Sequence, residues 1–323
     1  MPSENTHKMI TLAWTPFTGL GMYNGFRGNA WLKRRIKIYK QFVVSSLLNQ
    51  TDQDFVVWVA WRPEERNNPL VLGLEAWLNT NTPFKIVFTY GGLCFWDDKY
   101  PDAVARERLS TALHKTLPQL LDVVGENEEV CVLLVPSDDL YASKTIEASK
   151  KFLSENKDFE AIGFKQGYIC NYQTKEVLEY NPKTNPPFFA VRFPRNVFFD
   201  PGKHLAYIST KSDEGKYKAG TPYPSHEWIP NAFKMAFFEH RGFMVGTHGE
   251  NVSTHFNNPY GGERIENRLE VLKEFGILNV TPLELPKSLR KALLQRLPYK
   301  YQRKLRFILG ERFLNRIYNY LRN

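Results

Sequence analysis

Two adjacent aspartates follow a short apolar segment of the chain. The run Val130–Val135 carries no charged side chain and ends in Pro136-Ser137-Asp138-Asp139. Two neighbouring carboxylates repel each other unless a cation or a hydrogen-bond donor lies nearby. Carboxylate oxygens suit Mg²⁺ or Mn²⁺, which share their coordination sphere with substrate phosphates, so the pair could hold a metal-bound diphosphate. The alternative is that Asp138 or Asp139 caps the helix beginning near Ser143 or forms an Asx turn.

The aspartates belong to a first half in which predicted strands and helices alternate. Short apolar runs predict the strands Met9–Trp14, Phe55–Trp61, Lys85–Tyr90 and Val130–Val135. Apolar residues three or four apart predict the helices Asn29–Leu48, Pro69–Leu78, Pro101–Val123 and Ser143–Ser154. This alternation predicts an α/β fold, with a mostly parallel sheet covered by helices on both faces. In such sheets ligands bind outside the carboxyl ends of the strands, where Asp138 and Asp139 lie.

The second half of the chain has a different pattern. Ala161–Cys170 and Glu176–Tyr180 are predicted to be antiparallel strands around a turn at 172–175, and Phe243–Gly246 another strand. A helix is predicted from Ser225 to His240, after a loop rich in Pro, Gly, Lys and Ser. We predict a single body over residues 1–280, with a looser second half that forms the site.

Composition places the protein among folded, globular chains. Hydrophobic residues make up 42% of the 323 residues and charged residues 24%, which excludes a disordered chain. Three cysteines do not suggest a disulfide scaffold, and a reducing interior is expected. No apolar run approaches the roughly 18 residues of a membrane span, and the N-terminus lacks the layout of a signal peptide. The expected location is therefore cytoplasmic.

The positive charge is concentrated at the C-terminal end. The net charge is +9, yet residues 286–323 carry eleven Lys or Arg against the single acid Glu311. Apolar residues recur there at helical spacing on both sides of Pro298, which predicts a basic amphipathic helical extension over 281–323. Its apolar stripe could pack on the body, or the extension could lie on an anionic membrane surface. Nucleic acid is a further, less favoured partner.

Two patches resemble a bacterial family of predicted rhamnosyltransferases. The first is Trp31-Leu32-Lys33-Arg34-Arg35 followed by Ser45-Ser46-Leu47-Leu48-Asn49-Gln50-Thr51 and then Phe55. The second is Ser137-Asp138-Asp139, which stands where GT-A-like glycosyltransferases carry a D-x-D motif after an apolar strand. The chain departs from the family pattern at Pro136, where an additional Asp is usual. The resemblance implies a GT-A-like fold and sugar transfer from a nucleotide-sugar donor.

The resemblance also implies roles for the residues around the aspartates. Asp138 and Asp139 would hold the diphosphate through a divalent metal, Mn or Mg, next to Ser137. Arg106 and Arg108 could reach the donor phosphates, although a solvated helix face explains them as well. Thr15 and Phe17 end the first strand, where the nucleotide base would lie, and Phe17 could equally be a core residue.

Later residues supply the expected base and a further metal ligand. Ser225-His226-Glu227-Trp228 stands at the predicted helix start, where inverting members of the wider group place an acidic base. Glu227 is the candidate base and His226 an acceptor-binding or structural residue. The alternative for Glu227 is simple stabilisation of a helix start. His255, or His248, could complete the metal shell, and no H-E-x-x-H signature indicates a zinc protease.

The sequence therefore predicts a glycosyltransferase that moves a sugar, with rhamnose the candidate, to a polysaccharide or lipid-linked acceptor. The basic extension would hold it at the inner face of the membrane. Two other classes stay open. One is a non-catalytic binding protein on a degenerate scaffold, which the loss of an Asp at Pro136 favours. The other is a metal-dependent hydrolase using Asp138, Asp139 and His255.

Overall fold

The computed structural model describes residues 9–18, 28–92, 102–183, 186–201, 229–248, 251, 256 and 261–284. Within these ranges the chain forms two sheets and a set of helices that pack against them. No helix in the described ranges is both long enough and apolar enough to cross a bilayer. The basic segment 286–323 lies outside the described residues, so its predicted helices and its boundary with the body stay predictions.

The larger sheet has seven strands among the described residues, in the order β10-β6-β9-β4-β1-β2-β3. Its strands are β1 (Met9–Pro16), β2 (Val56–Ala60), β3 (Lys85–Thr89), β4 (Glu129–Leu134), β6 (Ala161–Phe164), β9 (Phe189–Pro194) and β10 (Met235–Phe238). The strands β3, β2, β1 and β4 run parallel, and β10 runs parallel to β6. Only β9, between β4 and β6, is antiparallel to its neighbours.

Helices cover both faces of this sheet. The helical segments are α1 (Asn29–Ile38), a π-helical stretch (Tyr39–Val43), α2 (Val44–Leu48), α3 (Pro69–Asn81), α4 (Asp102–Thr116), α5 (Leu121–Val124), α6 (Thr145–Glu155), α7 (Arg195–Phe198), α8 (Ile229–Ala232) and α9 (Arg268–Glu274). Alternate residues of β1 point to opposite faces. Ala13 joins the core under α1, α2, α3 and α6, and Trp14 joins the core under α4.

A smaller sheet packs on the α1 side and has the order β12-β8-β7-β11-β5. Its strands are β5 (Leu140–Tyr141), β7 (Gly167–Asn171), β8 (Val177–Tyr180), β11 (Phe243–Thr247) and β12 (Gly261–Arg264). The two-residue strand β5 pairs with β11 immediately after the two aspartates. The chain therefore leaves the large sheet through Asp138 and Asp139 and enters the small one.

The predicted fold class, a mostly parallel α/β sheet flanked by helices, is confirmed. All four first-half strands and the helices between them form close to their predicted positions. The predicted strand Ala161–Cys170 is wrong as one element, because it divides into β6 in the large sheet and β7 in the small one. The predicted helix Ser225–His240 is confirmed in its described part only over α8, which ends at Ala232. It is wrong beyond that residue, because Met235–Phe238 is a strand beside β6.

Candidate functional site at the carboxyl end of β4

The aspartate pair lies where the two sheets meet. After β4 ends at Leu134, the chain turns through Ser137 and Asp138, and the amide of Asp139 donates to the Pro136 carbonyl at 3.4 Å. Ser137 is half-buried in this turn. The pair thus occupies the carboxyl end of a strand in the middle of a parallel sheet, which is the position where open α/β sheets bind ligands.

The carboxylate of Asp138 is held by three side chains from distant parts of the chain. Its Oδ2 forms an ion pair with Nη1 of Arg35. The same oxygen lies 3.0 Å from Nε2 of His248 and accepts a hydrogen bond from Nδ2 of Asn251 at 3.2 Å. The Asn251 side chain also accepts from the His248 amide at 2.9 Å, which fixes the two donors relative to each other. Asp138 therefore sits in a pocket of positive and donor groups.

The burial of Arg35 follows from the phase of α1. Trp31 and Leu32 lie one turn earlier and Tyr39 one turn later on the same face, and all of them are buried. Arg35 is carried into the core by these neighbours and is only 5% exposed. A buried guanidinium requires a counter-charge, because an unpaired buried charge is strongly destabilising. Asp138 supplies that charge. The Trp31 ring adds a cation–π contact, with its centroid 5.3 Å from the guanidinium carbon of Arg35.

The cations around Asp138 set its ionisation. Burial by itself raises the pKa of this carboxyl. The charge of Arg35 and the hydrogen bond and charge of His248 act in the opposite direction and prevail, so the pKa of Asp138 lies well below its ordinary value. Asp138 is consequently ionised throughout the neutral range and presents a fixed negative charge beside Arg35.

Asp139 has a different environment. Its side chain is buried, and its Oδ1 accepts a hydrogen bond from the Gly246 amide at 2.9 Å. Burial and the nearby charge of Asp138 raise the pKa of Asp139 well above its usual value, although the Gly246 amide and Arg35 partly oppose this. The two adjacent carboxyls thus differ, with Asp138 ionised and Asp139 biased toward its protonated form.

Gly246 allows β11 to approach the aspartate turn closely. A Cβ at this position would lie 2.2 Å from the Asp138 carbonyl oxygen and 2.3 Å from the Tyr172 hydroxyl. The Tyr172 hydroxyl donates to that same carbonyl at 2.8 Å. The Tyr172 hydroxyl therefore fixes the backbone of the turn and the Gly246 amide fixes the Asp139 side chain, and no larger residue fits at position 246 without displacing these neighbours.

The segment α2 and its following turn brace the strand that leaves the site. The Ser46 hydroxyl donates to the Tyr141 carbonyl at 2.8 Å and accepts from the Tyr141 amide at 3.1 Å. The Gln50 side chain donates to the Ala142 carbonyl at 2.9 Å and accepts from the Ile146 amide at 3.1 Å. The two patches that carry the family resemblance thus meet in space, because residues of the first hold the chain that follows the second.

The described residues do not form a ready site for a divalent metal. No group of three His, Cys, Asp or Glu side chains converges in the described part of the chain. Asp138 Oδ2 already contacts Arg35, His248 and Asn251, and Asp139 Oδ1 accepts from Gly246. A divalent ion at Oδ2 of Asp138 would compete with the Arg35 guanidinium. The predicted Mn or Mg site, with Asp138, Asp139 and His255 as ligands, therefore stays a prediction, and no proposed step depends on it.

The residues predicted to surround a nucleotide base are buried. Thr15 lies in β1 opposite Val59 and is not exposed. Phe17 is fully buried, stacks on Trp61 with ring centroids 4.5 Å apart and contacts Tyr39 edge-on at 5.4 Å. This packing supports the core alternative for Phe17, because both aromatic neighbours occupy ring surface that a base would need.

The other predicted site residues lie away from Asp138 or outside the described ranges. Arg108 is exposed on α4 and is not among the groups that contact the Asp138 carboxylate. Arg106 is placed on α4, but its side chain lies outside the described residues. His226, Glu227 and His255 also lie outside them. Their predicted roles as base, acceptor contact and metal ligand stay predictions.

Sequence reasoning did not assign Arg35 or Asn251 to the site. The sequence does contain a signal for Arg35, which shares the helical phase of Trp31 and Tyr39 and is therefore a buried cation that needs a partner. The sequence suggests His248 as a metal ligand, whereas in the structure it contacts Asp138 directly. Asn251 had no local signal, because its role depends on the return of β11 to the turn.

Comparisons with known proteins give weak similarity only. No family model matches the chain, and no curated protein matches it. A crystal structure of S. aureus TarS 1-349 is similar over 91% of this chain and 77% of that one, with 12% identity and a TM-score of 0.37. Another TarS structure matches over 91% of this chain and 50% of its own, with 12% identity and a TM-score of 0.34. A predicted nucleotide-diphospho-sugar transferase from Desulfovibrio desulfuricans G20 matches over 71% and 79%, with 12% identity and a TM-score of 0.32.

Proposed function

We propose that this protein is a glycosyltransferase that uses a nucleotide-sugar donor and a glycan or lipid-linked acceptor. The observation that carries the proposal is the ion pair of Asp138 with the buried Arg35 at the carboxyl end of β4. This is the position at which an α/β sheet of this kind binds its ligand. Arg35, His248 and Asn251 all contact the Asp138 carboxylate there, and donors of this kind also suit an anionic ligand such as a diphosphate bound beside it.

The chemistry of sugar transfer gives these residues defined tasks. When the bond between the sugar and the diphosphate breaks, negative charge grows on the leaving oxygen and must be stabilised. Arg35 is a cation fixed by Asp138 and by the packing of α1, so it needs little reorganisation to provide this stabilisation. Asp138 is a positioning residue for Arg35. The resemblance adds Glu227 as the base that takes the proton of the acceptor hydroxyl, with His226 beside the acceptor.

The finer features of the proposal come from the sequence. Rhamnose is the candidate sugar because the resemblance of Trp31–Arg35 and Ser45–Phe55 is to predicted rhamnosyltransferases. The acceptor is a surface polysaccharide or its lipid-linked precursor. The basic segment 286–323 holds the enzyme at the cytoplasmic face of the membrane, where such acceptors are built.

Thermal unfolding with a panel of nucleotide-sugars tests donor binding directly. The full chain is heated with UDP-, GDP- and dTDP-sugars, each with Mn²⁺ and with a chelator. A ligand present at 100 times its dissociation constant adds about 2.7 kcal/mol to the free energy of unfolding, which gives a measurable rise in Tm. Stabilisation by one nucleotide class is expected. If none of the donors raises the Tm, the protein is a binding protein of another kind and the proposal is wrong.

Product analysis then separates transfer from hydrolysis. The donor that stabilises the protein is incubated with acceptor extracts and, separately, without any acceptor. Transfer requires the acceptor, whereas release of free sugar in its absence favours a metal-dependent hydrolase. The variant Glu227→Gln should lower kcat by at least about 100-fold with donor binding retained, because a general base contributes 10² to 10⁴-fold.

A further inference from the structure

The outer face of α1 forms a strongly basic surface cavity. Its volume is about 570 Å³. The lining residues come from α1, the π-helical stretch and α3, and they are Lys33, Arg34, Ile36, Lys37, Lys40, Gln41 and Trp77. Four of these seven side chains are cationic and none is acidic. We call this surface the α1 basic face. It lies outside the Asp138 site and nothing in the proposed sugar transfer uses it.

Helical spacing separates the α1 basic face from the buried face of the same helix. Lys33 and Lys37 are four residues apart and both are exposed, whereas Arg35 between them points into the core. Lys40 follows one turn after Lys37 and lies over the Trp77 ring of α3, with its nitrogen 4.6 Å from the ring centroid. The cations therefore form a row along the helix, with a half-buried tryptophan beside it.

Among the described residues, no acidic side chain lines the α1 basic face, since Glu75 of α3, two residues before Trp77, is not part of the lining. The face thus presents a net positive charge to an external anion. Because the lysines carry their charge at the end of long, flexible stems, they can contact a charged surface without any rearrangement of the fold.

The root of the basic C-terminal segment lies beside the α1 basic face. Gln41, which lines the cavity, donates through Nε2 to the Thr281 carbonyl. The chain continues from there into residues 286–323, which carry eleven basic residues and one acid. This segment has the same sign of charge as the cavity, so electrostatic repulsion disfavours it as the occupant. An external anionic surface is therefore the better match for this face.

We propose that the α1 basic face is a docking surface for an anionic lipid bilayer. A membrane is the occupant best matched to this face, because a bilayer is an extended anionic surface that can contact the whole row of cations along the helix at once. Trp77 is suited to the headgroup region, where amphipathic aromatic rings are favoured. This binding is separate from sugar transfer and does not depend on donor recognition at Asp138.

The test is vesicle co-sedimentation of the full chain. The vesicles are pure phosphatidylcholine or an equal mixture of phosphatidylcholine and phosphatidylglycerol, at low and at high salt. The variant K33Q/K37Q removes two charges from the α1 basic face. The matched control is K115Q/K151Q, which removes two exposed lysines from α4 and α6 and changes the net charge equally. Thermal unfolding and nucleotide-sugar binding are measured for both variants to verify the fold and the Asp138 site.

The wild type should bind the mixed vesicles, more weakly at high salt, and should not bind pure phosphatidylcholine. K33Q/K37Q should bind about 30-fold more weakly, since each near-surface lysine is worth about fivefold in affinity. The control K115Q/K151Q should lose little of its affinity for the mixed vesicles. Equal losses in the two variants, or no loss in K33Q/K37Q, overturn the proposal. If the wild type binds soluble polyphosphate but not vesicles, and K33Q/K37Q abolishes that binding, the face is a site for soluble polyanions and the membrane proposal is wrong.

If the wild type binds vesicles as expected but binds no nucleotide-sugar, the proposed function is wrong and the membrane proposal stands.

Discussion

At the scale of single residues, the pairing of Arg35 with Asp138 is the feature on which the site depends. Arg35 is buried, the Asp138 side chain is only 16% exposed, and each charge neutralises the other. Breaking a buried ion pair by removing one partner typically costs 3 to 5 kcal/mol, because the remaining charge has no counter-ion. The variant Asp138→Asn should therefore destabilise the protein by about 3 kcal/mol in urea unfolding, and it should weaken nucleotide-sugar binding.

A double-mutant cycle isolates the pair. Arg35→Met removes the guanidinium and keeps much of the side-chain volume, and we expect a comparable loss of stability. The double variant should lose much less free energy of unfolding than the two single variants lose together, since it leaves no unpaired charge. Strictly additive losses would show that the two residues act independently and that neither neutralises the other.

The raised pKa of Asp139 makes a prediction about pH. A carboxyl whose folded-state pKa is raised contributes its full stability below its ordinary pKa of about 4, and that contribution is lost as the pH rises toward the folded-state pKa. Asp139→Asn does not titrate and retains an oxygen that can accept from Gly246. The variant should be more stable than the wild type at pH 8, with the difference shrinking toward pH 4. Urea unfolding of both proteins from pH 4 to pH 8 measures this difference in stability. A stability difference that does not change with pH would contradict the raised pKa of Asp139.

At the scale of elements, the turn after α2 acts as a brace for β5 and the start of α6. Gln50 is buried and joins the carbonyl of Ala142 to the amide of Ile146. Gln50→Ala leaves both groups without these partners, so it should lower the free energy of unfolding by about 2 to 3 kcal/mol. Gln53→Ala is the matched control, because the side chain of the exposed Gln53 donates to nearby carbonyls of its own segment. A similar loss in both variants would argue against a bracing role for Gln50.

Local patterns predicted most elements but failed at two of them. The continuous run Ala161–Cys170 gave no sign that β6 and β7 belong to different sheets, since a buried strand and a strand pair separated by a tight bend have similar composition. The same ambiguity affected Met235–Phe238, a four-residue apolar run that fits a buried helix as well as a strand. Its pairing with β6, which is remote in sequence, decided between them.

At the scale of the whole molecule, the two cysteines in the described ranges report on global unfolding. Cys131 lies in β4 and Cys170 in β7, and both are buried and free of disulfide bonds. Burial raises the pKa of each thiol to about 12. Since the thiolate is the reactive form, both should resist a thiol reagent at pH 8 in the native protein and react rapidly in guanidinium chloride. Mass spectrometry of labelled peptides measures each site, and rapid native labelling of either would show that its sheet opens locally.

The amino-acid sequence by itself determined the alternation of strands and helices, the position of Asp138 and Asp139 after a buried strand, and the concentration of positive charge beyond residue 286. These features depend on periodicity and composition over short segments, which are local properties. Only the tertiary structure decided which groups surround the aspartates. Arg35 reaches Asp138 from α1, His248 lies 110 positions beyond it, and Gly246 brings β11 within hydrogen-bond distance of Asp139. Such contacts depend on strand order and on the packing of two sheets, so no local pattern of residues specifies them.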